Sequence, residues 1–286
     1  MKFLPIFFFF ISSFLFSQTD TNFQVHAHRG FRGLYPENTI IAFKEAVKKN
    51  AYAIELDIVI SKDNQLVVSH EPWFNHKICS APNGKKVKRF HQQNLYKLNY
   101  DSIKQYDCGI RGNKKYLSQQ ASKAFKPLLL DVIREIEMYC KENNLPPIHY
   151  NIEIKCRKIG DDKYHPKPEV IAKLLVDVLK TFSIDERILV QSFDVRCLQS
   201  VHQLNPQLRI GLLVANFKSV SKNIKKLGFT PYMYNPNVKL VKSKTVKQAQ
   251  LKNVKVIVWT ANKEKDIRKL KRLKVDGIIT DYPLKK

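Results

Sequence analysis

The chain has 286 residues, of which 44% are hydrophobic and 26% charged, and its formal net charge at pH 7 is +25. This hydrophobic fraction is sufficient for one sizeable core, and the chain contains no low-complexity segment or linker, which excludes a disordered protein. The charge could attract polyanions or steer anionic substrates. We favour a lysine-biased surface, because the lysines are spread along the chain, and expect no specific nucleic-acid partner.

The first 17 residues, MKFLPIFFFFISSFLFS, differ from the rest of the chain. A lysine, an apolar stretch of about a dozen residues and the small residue Ser17 are typical of a secretory signal peptide. The alternative is an uncleaved N-terminal anchor, but a stable membrane span takes about 20 residues. We therefore predict a signal peptide at 1–17, a mature domain at 18–286, and export to a periplasm or release from the cell.

Eight short runs rich in β-branched and aromatic residues alternate with helical patterns. The runs are FQVHAH (23–28), YAIELDIVI (52–60), IHYNIEIK (148–155), RILVQSF (187–193), LRIGLLVA (208–215), PYMYNP (231–236), VKVIVWTA (254–261) and DGIITD (276–281). In the first helical pattern Ile40, Phe43 and Val47 share one face, and 127–143 and 168–182 show the same periodicity. Eight such units predict an α/β fold, a (β/α)₈ TIM barrel.

Two segments interrupt the alternation. Residues 66–70 follow the second strand after only five residues, which is too short for a parallel crossover and predicts a hairpin arm. Residues 71–126 show no sustained helical face. We expect them to form a small subdomain inserted on the rim of the barrel after the second strand, where such segments often select substrate.

The five cysteines all lie in the predicted mature domain. They are Cys79, Cys108, Cys140, Cys156 and Cys197. An oxidising compartment permits disulfides, but an odd number leaves at least one thiol unpaired, and the pairing stays open. Their spacing gives no indication of a zinc site. Cys156 follows a candidate site lysine and should face away from the site, so we do not expect it to be a nucleophile.

Three carboxylates fall near the ends of two predicted strands. Residues two apart share a face of a strand, so Glu55 and Asp57 should point the same way, as should Glu153 and Lys155. Barrel enzymes build their sites at the carboxyl ends of strands. Converging carboxylates demand a cation, and oxygen ligands favour one divalent ion, Mg²⁺ or Ca²⁺. The alternative is surface carboxylates paired with lysines.

Two histidines flank this cluster. His28 ends the first strand, and His70 ends the hairpin arm. An imidazole titrates near neutrality, so one ring could accept a proton while the other donates one. Arg29 is suited to bidentate contact with a phosphate, to which Lys155 would add a point charge. His26 lies one layer deeper in the same strand, and we interpret it as a core residue.

Six motifs together resemble the glycerophosphodiester phosphodiesterase family. They are HAHRGFRGLYPENTIIAFKEAV, AIELDIVISKDNQLVVSHEP, NIEIK, QSFD, VIVWTAN and DGIITDYP, in that order from about residue 25 to 283. The resemblance implies a barrel with a small insertion after the second strand. It also implies metal-dependent hydrolysis of a small-molecule glycerophosphodiester to glycerol 3-phosphate and an alcohol.

The matching positions imply roles for individual residues. His28 and His70 match the catalytic acid/base pair of the family, and Glu55, Asp57 and Glu153 match its metal ligands.

Other positions match residues that bind or orient. Arg29 and Lys155 match phosphate contacts, and Trp259 matches an aromatic residue on the glycerol side, although a core role fits it equally well. We interpret Glu37 and Asn38 of the Pro-Glu-Asn turn as orienting Arg29 and capping the following helix.

Some features depart from the family pattern and leave alternatives open. Glu71 stands where aspartate is common in the family, so we assign it no catalytic role. The sequence that follows it is unusual for the family, and the identity of the leaving alcohol therefore stays open. One alternative is phospholipase D-like action on lysolipid or sphingolipid headgroups. Another is a non-catalytic barrel that binds polyanions. The choice of ion, the role of each histidine and the oligomeric state also stay open.

Overall fold

The computed structural model describes residues 23–89 and 93–285, so the predicted signal peptide lies outside the described residues. Eight parallel strands close into a barrel, which confirms the predicted fold. They are β1 (Gln24–His28), β2 (Ala53–Ile60), β4 (His149–Ile154), β5 (Ile188–Ser192), β6 (Arg209–Val214), β7 (Met233–Pro236), β8 (Lys255–Val258) and β9 (Gly277–Thr280). Closure comes from β1, which pairs with both β2 and β9.

The remaining strand, β3 (Leu66–Val68), is the predicted hairpin arm. It runs antiparallel to β2, with Ile58 opposite Val68 and Ile60 opposite Leu66. A five-residue connection suffices because antiparallel neighbours need only a turn. The hairpin leaves His70 at the rim of the barrel, directly after the arm.

Helices surround the barrel and cover its outer face. They are α1 (Ile40–Lys48), α3 (Leu129–Glu142), α4 (Pro168–Leu179), α5 (Val195–Leu204), α6 (Val220–Leu227), α7 (Ser243–Gln250) and α8 (Glu264–Arg272), whereas α2 (Tyr100–Ile103) lies in the segment between β3 and α3. Of the predicted face of α1, Phe43 and Val47 are buried, and Ile40 is partly buried against the same core. Burying a side chain such as Phe43 contributes roughly 1.5–3 kcal/mol, so this face holds α1 on the sheet.

The core is divided by the sheet. A large layer fills the space between strands and helices, whereas a small apolar cluster lies among the inward-facing residues, with Leu189, Met233 and Ile257 at its centre. Every residue of β2 is buried, which is typical of a parallel strand covered on both faces. Towards the carboxyl ends of the strands the inward-facing side chains become polar and charged, and this is where the site lies.

Residues 71–126 connect β3 to α3 with little regular structure, a short 3₁₀ turn and α2. They pack around an apolar cluster of their own that includes Phe74, Leu95 and Ile103, and a disulfide joins Cys79 to Cys108. Cys140, Cys156 and Cys197 are buried thiols. No helix among the described residues is long and apolar enough to cross a membrane.

Candidate active site

Strand register brings the predicted site residues together at one end of the barrel. His28 is paired with Glu55 across β1 and β2, and Asp57 is paired with Glu153 across β2 and β4. Neighbouring parallel strands run in the same direction, so positions far apart in sequence become adjacent. A cavity of about 280 Å³ opens between them, with His70 on its wall.

The three predicted ligand carboxylates form one buried cluster. One oxygen from each of Glu55, Asp57 and Glu153 lies within 4.8 Å of the others, and no more than 7% of any of these residues is exposed. Burial and the neighbouring Asp57 raise the pKa of Glu55 well above its usual value. Burial also raises the pKa of Glu153. Three oxygen donors that repel one another in a buried site fit a divalent cation.

Two basic side chains partly neutralise this cluster. The Lys155 Nζ atom lies 2.8 Å from Asp57 Oδ1 and 2.5 Å from Glu153 Oε1. The Arg29 Nε atom lies 3.1 Å from Asp57 Oδ2, and the Arg29 backbone N–H donates to Glu55 Oε2 at 3.0 Å. Burial would raise the pKa of Asp57, but Lys155 and Arg29 hold it well below its usual value. Both basic residues therefore lie where a phosphate next to the carboxylates would meet them.

His28 is held by Asp281, which follows β9. The His28 Nδ1 atom lies 2.5 Å from Asp281 Oδ1, and Arg32 Nε donates to the same oxygen at 2.8 Å. Burial and the positive charge of Arg32 lower the pKa of His28 to about 4. Burial would raise the pKa of Asp281, but its hydrogen bond to His28 and the nearby positive charges lower it strongly. The Nδ1 contact leaves Nε2 of the ring for chemistry.

The sequence motifs by themselves assign no role to Asp281. It ends the DGIITD motif, at the carboxyl end of the last barrel strand. That position was the available signal, because catalytic residues of barrels come from strand ends. What the sequence lacks is the contact itself, which joins residues 253 positions apart.

The second histidine also has a carboxylate partner. The His70 Nδ1 atom lies 3.0 Å from Glu71 Oε1, and about a third of the His70 side chain is exposed. Burial would raise the pKa of Glu71, but the hydrogen bond and charge of His70 lower it to about 2. Glu71, which the sequence left without a role, thus orients His70 as Asp281 orients His28.

The Pro-Glu-Asn turn follows the prediction at Glu37 and departs from it at Asn38. Glu37 orients Arg29 as expected, accepting a hydrogen bond from Nη1 at 2.8 Å. Asn38 does not cap α1. Its backbone has φ 58°, and its side-chain amide turns inward to donate to Asp57 Oδ2 at 2.9 Å. The capping residue is Thr39, whose Oγ1 accepts from the Ala42 backbone N–H at 3.2 Å. A buried carboxylate without hydrogen bonds is costly, so the Asn38 amide stabilises the fold more by bonding Asp57 than it would by capping the helix.

Trp259 combines the two roles considered for it. Its Nε1 donates to the Asn235 carbonyl at 2.7 Å, and it packs beside the inner apolar cluster. Its half-buried ring also lines the cavity, meeting Phe193 edge to face with centroids 5.3 Å apart. Trp259 therefore forms part of the apolar wall of the cavity.

Polar residues beneath the cavity support the carboxylates. Gln191 Nε2 donates to Glu55 Oε1 at 3.1 Å and is held in turn by Asn235 Nδ2 at 2.7 Å. His26 is fully buried, as predicted, and its ring accepts from Asn151 Nδ2 at 3.1 Å. Burial lowers the pKa of His26 to about 3, so the ring is neutral in the folded protein.

Comparisons with known proteins point to one family. The sequence model of the glycerophosphoryl diester phosphodiesterase family matches residues 28–285. A glycerophosphodiester phosphodiesterase of Caldanaerobacter subterraneus subsp. tengcongensis is 30% identical, over 91% of this chain and 94% of its own. Human lysophospholipase D GDPD1 is 24% identical, over 91% and 83%.

A solved structure has the same fold. It is that of an Oleispira antarctica phosphodiesterase in complex with the product sn-glycerol-3-phosphate, with a TM-score of 0.72, 24% identity, and coverage of 91% of this chain and 93% of its own.

Proposed function

The chain belongs to the glycerophosphoryl diester phosphodiesterase family and hydrolyses glycerophosphodiesters, and we propose that it does so by metal-dependent acid/base catalysis with His28 and His70. The products are glycerol 3-phosphate and an alcohol. The observation that carries the proposal is the arrangement of the cavity. Two imidazoles, each with a carboxylate at Nδ1, flank a buried cluster of three carboxylates and two basic side chains.

The substrate phosphate binds between the basic residues and the carboxylates. Arg29 and Lys155 contact its oxygens, and Glu37 keeps the Arg29 guanidinium in place. Trp259 and Leu213 line the same cavity and supply an apolar surface for the glycerol carbons. The product complex of the Oleispira antarctica relative supports a glycerol phosphate as the bound part of the substrate.

The histidines transfer protons on either side of the phosphate. One ring takes the proton of the attacking hydroxyl, and the other gives a proton to the leaving alcohol oxygen; such catalysis contributes typically about 10²–10⁴-fold. Asp281 and Glu71 fix both rings through Nδ1, so Nε2 of each performs the transfer. Their different environments, one buried and one partly exposed, suit them to different roles.

Glu55, Asp57 and Glu153 would hold one divalent cation, Ca²⁺ or Mg²⁺. Three anionic oxygens within 4.8 Å of one another, in a site from which water is largely excluded, fit such an ion. When bound, it would stabilise the negative charge that develops on the phosphate.

The competing proposal within the superfamily is release of a headgroup from a lysolipid, as the name of the human relative states for that protein. A non-catalytic polyanion binder is set aside, because the relatives are enzymes.

The test is release of glycerol 3-phosphate from glycerophosphocholine and glycerophosphoethanolamine with Ca²⁺, with Mg²⁺ and with a chelator. His28→Ala and Glu55→Ala are compared with His202→Ala and Glu135→Ala, which replace the same residue types outside the cavity. We expect release that needs the ion and is lost only in the first pair. Headgroup release from a lysolipid with neither small diester cleaved would favour the competing proposal.

We also propose that the protein is exported. The Cys79–Cys108 disulfide supports this, because structural disulfides persist in oxidising compartments and are rare in the cytosol. Fractionation of cells that make the full chain, with N-terminal sequencing of the product, tests it. A protein that begins near residue 18 outside the cytoplasm is expected, whereas an intact N terminus in the cytosol would overturn the proposal.

A further inference from the structure

A second cavity, of about 460 Å³, adjoins the catalytic one; we call it the apolar groove. Five residues line both, so the two share a wall at the position proposed for the phosphate; they are His70, Glu153, Lys155, Arg157 and Phe193. Trp259 lines the catalytic cavity and not the apolar groove. A diester bound with its glycerol beside Trp259 would therefore direct its alcohol towards the apolar groove.

The far part of the groove is lined mainly by apolar and aromatic side chains. Trp73 and Tyr164 meet edge to face with centroids 5.7 Å apart, and Ile154 and Ile159 lie along the same cavity. Ile159 is 89% exposed and Phe193 is 40% exposed. Large exposed apolar side chains that cluster at the mouth of a cavity are typical of a binding surface, whereas apolar residues scattered singly over a surface are not.

The polar groups of His165 and Cys156 in the groove are already paired. His165 Nε2 accepts from the Arg157 backbone N–H at 3.1 Å, and the His165 Nδ1 atom bonds the Pro166 carbonyl at 2.9 Å. Cys156 Sγ donates to Asp194 at 3.6 Å. Sugar or polyol hydroxyls would lose their hydrogen bonds to water here without replacement from these groups, which is costly.

The Tyr164 ring is poorly placed for a quaternary ammonium. The Lys163 Nζ atom lies 5.3 Å from the centroid of the Tyr164 ring, and Arg157 lines the groove. A cation–π site needs a free aromatic face, and a second cation beside these charges would be repelled. An uncharged, apolar occupant avoids both penalties.

We infer that the apolar groove binds the leaving alcohol of the substrate, and that this alcohol carries a single alkyl or acyl chain. This inference rests on the proposed function. The reaction is unchanged: water adds across the P–O bond to the alcohol, glycerol keeps the phosphate, and the apolar alcohol leaves with its proton.

The experiment measures kcat/KM for glycerol-3-phospho-n-alkanols with ethyl, butyl and octyl groups, beside glycerophosphocholine. Burying one methylene changes an equilibrium by roughly 2–4-fold, so the octyl diester should exceed the ethyl diester by about 30-fold or more. Trp73→Ala and Ile159→Ser should reduce kcat/KM for the octyl diester by about 5–10-fold and leave the ethyl diester within about 2-fold.

Phe217→Ser is the matched control, because Phe217 is 96% exposed and lies outside both cavities. It should leave the preference for the longer chain intact. Ile159→Ser changes an exposed residue and keeps the test valid if Trp73→Ala fails to fold.

The outcomes separate the two proposals. Turnover of every diester with no gain from chain length, or a preference for glycerophosphocholine, would overturn the apolar-alcohol inference and leave the proposed function intact. Absence of metal-dependent turnover on all the diesters would instead remove the proposed function, and the inference with it.

Discussion

His28 and Asp281 stand at opposite ends of the described barrel sequence, yet the His28 Nδ1 atom lies 2.5 Å from Asp281 Oδ1. The contact exists because β1 pairs with β9 and closes the barrel. It makes Asp281 a positioning residue for one of the two proposed acid/base groups, and its partners Arg32, Tyr116 and Asn262 hold the carboxylate in turn.

Asp281→Asn should lower kcat by about 10²-fold or more while the protein stays folded. The neutral amide would neither orient the His28 imidazole correctly nor stabilise its protonated form. The carboxylate raises the pKa of His28, so its loss should move the limb of the pH–rate profile that reports His28 to lower pH. Steady-state kinetics across pH check this against Asp185→Asn, an exposed aspartate. An unchanged profile with only a lower melting temperature would show a merely structural role.

Metal should stabilise the folded protein through the three carboxylates. Ligand at 100 times its Kd adds about 2.7 kcal/mol to the free energy of unfolding, so Mg²⁺ or Ca²⁺ should raise the melting temperature of the wild type. In Glu55→Gln this rise should largely disappear, whereas Glu135→Gln, on the outer face of α3, should keep it. Differential scanning calorimetry with and without ion gives the answer; an equal rise in both variants would contradict the proposed ligands.

Substitutions of Asn38 and Thr39 should have different effects on the free energy of unfolding and on activity. Thr39→Ala removes the cap of α1 and should cost about 1 kcal/mol of stability with activity retained. Asn38→Gly introduces a residue that also tolerates φ 58°, but it removes the hydrogen bond to Asp57. Activity should therefore fall more than stability. Urea unfolding and turnover of the same samples check both. If Asn38→Gly lowered mainly stability and Thr39→Ala lowered mainly activity, Asn38 would be the helix cap after all.

Acid should destabilise the fold through His26. Its pKa is about 3 in the folded protein, against 6.5 for the free residue. Between pH 6.5 and 3, His26 binds a proton in the unfolded chain but not in the folded chain. The free energy of unfolding is therefore largest above pH 6.5 and falls as the pH drops towards 3. Between pH 7.5 and 5 this one group costs about 2 kcal/mol.

His26→Gln should flatten the dependence of the free energy of unfolding on pH by up to one proton over this range. His202→Gln, outside the barrel on α5, serves as the comparison. Denaturant titrations at pH 5, 6 and 7.5 measure both. Equal slopes in the wild type and His26→Gln would mean that other groups cause the acid sensitivity.

The disulfide should stabilise the inserted segment. It closes a loop between residues 29 positions apart, for which chain entropy gives about 3–4 kcal/mol. We expect Cys79→Ser/Cys108→Ser to lose stability of this order, with residues 71–126 exchanging amide hydrogens faster than the barrel. Reductant should reproduce the loss in the wild type and have no further effect on the double variant.

Much of this protein follows from local sequence. Strand and helix periodicities depend on neighbours a few residues away, and they place all eight barrel strands to within three residues. The period of two within a strand puts Glu55 and Asp57 on one face, and the structure brings Glu153 to them. Motif spacing therefore sufficed for the barrel, the carboxylate cluster and the two histidines.

Only the tertiary structure decided which groups touch across the barrel. Asp281 meets His28 through closure of the sheet, Asn38 turns to Asp57 rather than to its helix, and Cys79 rather than a barrel cysteine pairs with Cys108. The apolar groove arises between loops that are separate in sequence. These features depend on distances between chain segments, and the free energies of burial and charge pairing that select them exist only once the segments have packed.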